Sequence, residues 1–121
     1  MRKGSFAVRG DDGAEADLSI IAFPGAAGGD LANLNRWRGQ VGLDPITADA
    51  VPRETTTLES NGLHFIVVDF AGRSANGPTR LVGALAAAGG QTWFFKLMGP
   101  DALVAHTQPA FLDFLKTVRT P

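Results

Sequence analysis

Cysteine is absent from the sequence, so neither a disulfide nor a thiol nucleophile is available. A charge surplus is absent too: 11 Lys and Arg against 12 Asp and Glu leave a net charge of -1, which gives no general attraction for nucleic acid or anionic lipid. No apolar run approaches the ~20 residues of a membrane-spanning helix. The first residues lead into a strand without a hydrophobic leader, so we expect no signal peptide in the chain as given.

The composition that is present is that of a folded protein. Hydrophobic residues make up 45% of the chain and charged residues 19%. A length of 121 residues suits one domain with a core of its own. We expect residues 1–121 to form a single α+β domain, either complete or the trimmed or mature part of a longer protein.

Alternating apolar positions, helical spacing and turn residues predict the order β-β-α-β-β-β-β-α. Such an order favours an antiparallel β-sheet with helices packed on it. A helix over residues 30–41 is predicted to bury Leu31, Leu34 and Val41. One short helical turn is predicted over residues 47–51. The predicted strands cover residues 5–8, 16–23, 54–60, 63–71, 79–87 and 92–99.

Two segments are predicted to interrupt these elements. Glycine and proline over residues 72–78 indicate a long loop, and Asn61-Gly62 indicates a tight hairpin.

Residues 100–107 are expected to form one or two helical turns. Pro109 is expected to begin a separate terminal helix, because its missing N–H does no harm at a helix start. The buried stripe of this helix is predicted to be Phe111, Phe114, Leu115 and Val118.

A second hairpin at Gly89-Gly90 fixes a register between two strands. It places Lys96 opposite Gly83, so that the lysine stem can lie over the glycine. Its ammonium is then predicted to pair with a carboxylate on the next strand, for which Asp69 is the best-placed candidate, although the register of that strand is not fixed by this hairpin. Large residues then face small ones on the other side of the sheet, which we expect to lie under the helices. The predicted pairs there are Trp93 with Ala86 and Phe95 with Ala84, both large against small, and Leu97 with Val82.

The densest polar and aromatic cluster lies on the first helix. Arginine and tryptophan are frequent in protein interfaces, so this helix is a candidate binding surface. Alternatively, Trp37 belongs to the core and the arginines tie the helix to neighbouring loops. Arg36 is expected to be accessible; burial against a carboxylate would make it a structural tie. The candidate binding residues are Asn33, Asn35, Arg36, Arg38, Gln40 and Lys96.

Catalytic patterns are weak in this sequence. The glycine-rich residues 25–29 lack the Lys-Ser/Thr pair of a phosphate-binding loop, and Asp30 would repel an anion. Residues around Ser74 approach a nucleophile elbow, but Gly77-Pro78 follows where a helix is required. His64 and His106 lack metal-binding spacing. We therefore expect no catalytic residue, no metal and no cofactor.

Residues 35–40 (NRWRGQ) and 93–97 (WFFKL), with the terminal helix, resemble an uncharacterised bacterial protein family whose members are often exported. The strand-then-helix ending also resembles the PsbP-like fold. That resemblance implies an α/β/α sandwich around an antiparallel sheet. A fold of this kind does not carry a function with it.

These observations favour a non-enzymatic binding or accessory domain whose partner is another protein of unknown identity. The alternative is a small-ligand-binding protein or an enzyme without a recognisable motif, and that alternative requires a deep apolar pocket with convergent polar groups. Compartment and oligomeric state stay open.

Overall fold

A computed structural model describes residues 2–120 as a six-stranded antiparallel sheet with helices on both faces, which confirms the predicted α+β class. The strand order is β1-β2-β6-β5-β4-β3. The strands are β1 (Arg2–Arg9), β2 (Glu15–Pro24), β3 (Thr56–Ser60), β4 (Leu63–Ser74), β5 (Gly77–Ala88) and β6 (Gln91–Pro100). The helices are α1 (Asp30–Gln40), α2 (Val51–Glu54, preceded by a 3-10 turn at Ala48–Ala50) and α3 (Asp101–Leu115).

The β5–β6 register is the predicted one. Gly89 and Gly90 form the turn with φ of 60° and 74°, values that glycine adopts without strain. Lys96 lies opposite Gly83, as expected from a two-residue loop. The three predicted pairs on the other side are also present: Trp93 with Ala86 and Phe95 with Ala84, each a large residue against a small one, and Leu97 with Val82.

Each face of the sheet has its own hydrophobic core, because side chains alternate between faces along every strand. Phe65, Phe95 and Leu97 pack with Phe111 and Leu115 of α3, and we call this side the α3 face. The α1 face is the opposite side, where Val68, Phe70, Leu81, Leu85 and Phe94 pack with Leu34, Trp37 and Val41. Trp93, Phe95 and Leu97 thus lie under α3 alone, whereas they were expected to lie under both helices.

The long loop predicted over residues 72–78 is wrong. Strand β4 continues to Ser74 and β5 begins at Gly77, so only Ala75 and Asn76 separate them. Gly77 has a φ of 101°, and the Ser74 hydroxyl accepts the backbone N–H of Asn76. These turn contacts let the ladder extend through residues that look like loop formers. Because a strand follows Ser74, the geometry of a nucleophile elbow is absent at this position.

The predicted helix start at Pro109 is also wrong, because α3 runs without interruption from Asp101 to Leu115. Pro109 is exposed, so the carbonyl that loses its hydrogen-bond donor lies on the solvent side. Val104 precedes the proline and Phe111 follows it, and both are buried against the sheet. Packing on both sides of Pro109 therefore holds the helix together where local propensity would break it.

The predicted core positions are confirmed in part. Leu34 and Val41 are buried, whereas Leu31 is half-buried. In the last stripe, Phe111 and Leu115 are buried, whereas Phe114 and Val118 are half-buried. The end of α3 therefore covers the sheet less completely than its middle does.

Candidate functional site

Helix α1 is fixed on the sheet by Trp37. A Cβ added to Gly83 would come within 2.5 Å of the Trp37 ring, so the absent side chain makes room for the indole. The ring also meets the edge of Phe94, with centroids 6.0 Å apart. The space over Gly83 is therefore filled by Trp37, whereas the lysine stem of Lys96 was predicted to lie there.

Two of the candidate binding residues hold the chain that follows α1. The side-chain amide of Asn35 donates to the carbonyl of Ile46 at 3.0 Å and accepts its N–H at 2.8 Å. Arg38 donates to the carbonyl of Asp44 at 2.7 Å and to Glu54 at 2.8 Å. Asn35 and Arg38 therefore act as structural ties.

Arg38 is restrained by an aromatic ring as well. Its guanidinium lies 5.1 Å from the centre of the Phe70 ring, and only 12% of its side chain is exposed. A cation held by a carboxylate, a carbonyl and a ring has little capacity left for a partner.

Gln40 and Lys96 form a third connection, between α1 and β6. The Lys96 ammonium donates to Gln40 Oε1 at 2.8 Å. The predicted Lys96–Asp69 ion pair is wrong, because the register places Asp69 opposite Val82 and therefore on the α3 face. Asp69 instead accepts a hydrogen bond from Arg80 at 2.7 Å.

Arg80 is the centre of a charged network on the α3 face. It donates to Asp101, the first residue of α3, and to Asp69 of β4, both at 2.7 Å. The hydrogen bond to Asp101, then the one to Asp69, raise the pKa of Arg80 above its ordinary value. The network therefore fixes the start of α3 to the sheet.

Arg36 differs from the other arginine of α1 because it is exposed and pairs with no carboxylate among residues 2–120. It donates to the side-chain carbonyl of Asn33 at 2.9 Å, and its guanidinium lies 5.4 Å from the centre of the Phe94 ring. Asn33 is 1% exposed, and its Nδ2 has no hydrogen-bond partner within the described chain. Asn33 and Phe94 thus orient the guanidinium while its charge stays unpaired.

Phe23, at the end of β2, contacts the same ring. The Phe23 and Phe94 centroids are 6.1 Å apart with an interplanar angle of 73°, and Phe23 is 42% exposed. We call Phe23, Asn33, Arg36 and Phe94 the Arg36 surface. Sequence patterns did not single out Phe23; its position just before Pro24-Gly25, where the chain leaves the sheet, was the available signal.

The six predicted binding residues do not converge on one site. Asn33 and Arg36 contribute to the Arg36 surface, Gln40 and Lys96 bond each other, and Asn35 and Arg38 tie the following loop.

His64 contacts Glu59 at 2.8 Å, and His106 is exposed. In the described part of the chain, no three His, Cys, Asp or Glu side chains are grouped to hold a metal ion. Over residues 2–120, every helix is too short or too polar to cross a membrane.

Comparison with known proteins identifies the fold alone. No family model matches the chain, and no curated protein matches it. The chain is similar to a solved structure of PA94 from Pseudomonas aeruginosa, with a TM-score of 0.62 and 15% sequence identity over 98% of this chain and 81% of that one. PA94 is described as a protein of unknown function and a candidate regulator. The resemblance to PsbP-like domains is not shown by these comparisons and stays a prediction.

Proposed function

We propose that this protein is a non-enzymatic binding domain that recognises another protein through the Arg36 surface. The observation that carries the proposal is the unpaired, exposed guanidinium of Arg36, oriented by Asn33 and by the Phe94 ring. Arginine beside aromatic residues is a frequent centre of protein interfaces.

The chemistry of the surface defines the partner. Arg36 offers N–H donors in the planar arrangement that matches a carboxylate. Phe23 offers an exposed apolar ring in contact with the same Phe94 ring that holds Arg36. The matching element is therefore a partner segment with an Asp or Glu side chain adjacent to an apolar one.

A binding role agrees with how the other charged groups near α1 are used. Arg38 and Glu54 bond each other, and Lys96 is bonded to Gln40. These side chains maintain the fold, whereas the guanidinium of Arg36 keeps capacity for a partner. A single cation on an aromatic ring suits recognition better than bond-breaking chemistry.

The test is quantitative capture from a native lysate, read by mass spectrometry, with wild type and with Arg36→Glu as baits. Arg73→Glu is the matched control, since Arg73 is exposed and lies at the far end of β4. We expect a partner that wild type and Arg73→Glu retain and that Arg36→Glu loses.

The captured partner is then purified, and the acidic residue that meets Arg36 is changed to arginine. The proposal expects this reversal to restore binding to Arg36→Glu. A partner that binds wild type and Arg36→Glu with equal affinity contradicts the proposal.

A further inference from the structure

A large apolar pocket, which we call the α3 pocket, lies on the α3 face, away from the Arg36 surface. It has a volume of about 690 Å³, within the range of roughly 300–1,000 Å³ that small-molecule sites occupy. Its floor crosses four strands, from Ile20 in β2 through Trp93 and Ala86 to Leu63 in β4. Phe114 and Val118 line the side formed by α3 and the chain after it.

The pocket exists because α3 ends before it covers this end of the sheet. The last helical residue is Leu115, and the next residues are held by the β3–β4 turn. Asn61 donates to the carbonyls of Lys116 and Val118 at 2.9 Å and 3.1 Å. These bonds fix the chain beyond the helix and leave apolar side chains of β2, β5 and β6 facing the pocket.

The lining carries one charged side chain among the described residues, Arg119. Arg119 and Thr120 are exposed, so they mark the solvent side of the pocket, whereas Phe65 and Phe95 at the floor are buried. A ligand that fits has an apolar body for the floor and one anionic group for the guanidinium at the rim.

We propose that this pocket binds a small amphiphile with an apolar body and a single anionic group, placed with the anion beside Arg119. The site is separate from the Arg36 surface and independent of the proposed protein partner. The apolar floor supplies most of the affinity, since burying apolar area is the main favourable contribution there. Arg119 selects for the charge.

The test uses two dyes that differ by one charged group: anilinonaphthalene sulfonate and its uncharged parent phenylnaphthylamine. Each is titrated by fluorescence into the full chain, under conditions where near-ultraviolet circular dichroism shows a folded protein. We expect saturable binding of one dye molecule per chain in both cases.

Ala88→Leu fills the pocket, and Ala87→Leu is its control on the opposite face of the same strand, where Ala87 is exposed. We expect Ala88→Leu to weaken both dyes at least about tenfold, equivalent to about 1.4 kcal/mol, and Ala87→Leu to change neither. If Ala88→Leu does not fold, Ala88→Val serves with a smaller effect in the same direction. Equal weakening by Ala87→Leu, or no saturable binding to the folded wild type, overturns the pocket.

Arg119→Gln tests the anionic part, with Arg73→Gln as the control for loss of a surface charge. We expect about a threefold to fivefold weaker affinity for the sulfonate and no change for the uncharged dye, as for a partly exposed ion pair. Equal effects on both dyes, or no effect on either, overturn the assignment of an anionic ligand.

Discussion

The Trp37 ring occupies the space above Gly83, where a Cβ would come within 2.5 Å of it. Gly83→Ala is therefore expected to destabilise the protein by about 1–3 kcal/mol, because the indole must move in a closely packed core. The measurement is the free energy of unfolding from urea titration. Gly39→Ala is the matched control: apart from its chain neighbours and the nearby backbone of its own helix, no atom of the described chain lies within 4 Å of its added Cβ, and alanine in a helix is favoured over glycine. A Gly83→Ala variant as stable as wild type would contradict the packing of α1.

Phe111 and Phe114 are predicted to differ in their contribution to stability, although both are phenylalanines of α3. Phe111 is 3% exposed, so Phe111→Ala is expected to cost about 3–5 kcal/mol. Phe114 is half-buried at the α3 pocket, with its ring centroid 6.2 Å from that of Phe95. Phe114→Ala is therefore expected to cost about 1–2 kcal/mol. Chemical denaturation of the two variants measures the difference. Equal losses would show that the end of α3 covers the sheet as fully as its middle.

Arg80→Ala is expected to destabilise the protein by about 1–3 kcal/mol, because it leaves Asp69 and Asp101 without their shared donor. The pKa of Arg80 is raised in the folded state, so its stabilising effect is fully present below the ordinary pKa of arginine and is lost only above it. The control is Arg9→Ala, whose partner Glu15 lies 3.4 Å away in an exposed pair; that loss is expected to stay below about 0.5 kcal/mol. Thermal unfolding of both variants measures the two losses. A larger loss for Arg80→Ala than for Arg9→Ala shows that the Arg80 network fixes α3, and equal losses would show that it acts only as a surface pair.

The strands, the first helix and the β5–β6 register could be predicted from the sequence. They depend on alternating apolar residues, helical spacing and a glycine turn, which are all patterns within a short stretch of chain. Prediction from the sequence failed at Pro109, where packing outweighs the preference of proline for a break, and at residues 72–78, where a tight turn at Ser74 and Gly77 lets the two strands extend. It failed for Lys96 and Asp69 because that pairing depends on the register between β4 and β5, which the sequence does not fix and which places Asp69 on the face opposite Lys96.

The candidate site was predicted only in part, for a physical reason. Helical spacing shows which residues share a flank, but not which of them meet a loop that arrives from elsewhere in the chain. Asn35 and Arg38 look like surface residues until the chain at Asp44 and Ile46 returns to them. The α3 pocket depends on where α3 ends above the four strands that form the pocket floor. Sequence patterns do not determine how much of the sheet the helix leaves uncovered.

The proposed function depends on a division between two arginines of α1: Arg38 holds the fold, and Arg36 is available to a partner. The most direct test compares the free energies of unfolding of Arg36→Ala and Arg38→Ala with that of wild type. Arg38→Ala is expected to lose about 2 kcal/mol, since it removes charge-assisted bonds and a ring contact from a nearly buried side chain. Arg36→Ala is expected to lose about 1 kcal/mol, since it removes an exposed contact with an aromatic ring and one hydrogen bond to Asn33. An Arg36→Ala loss as large as that of Arg38→Ala would make Arg36 a structural tie and would contradict the account.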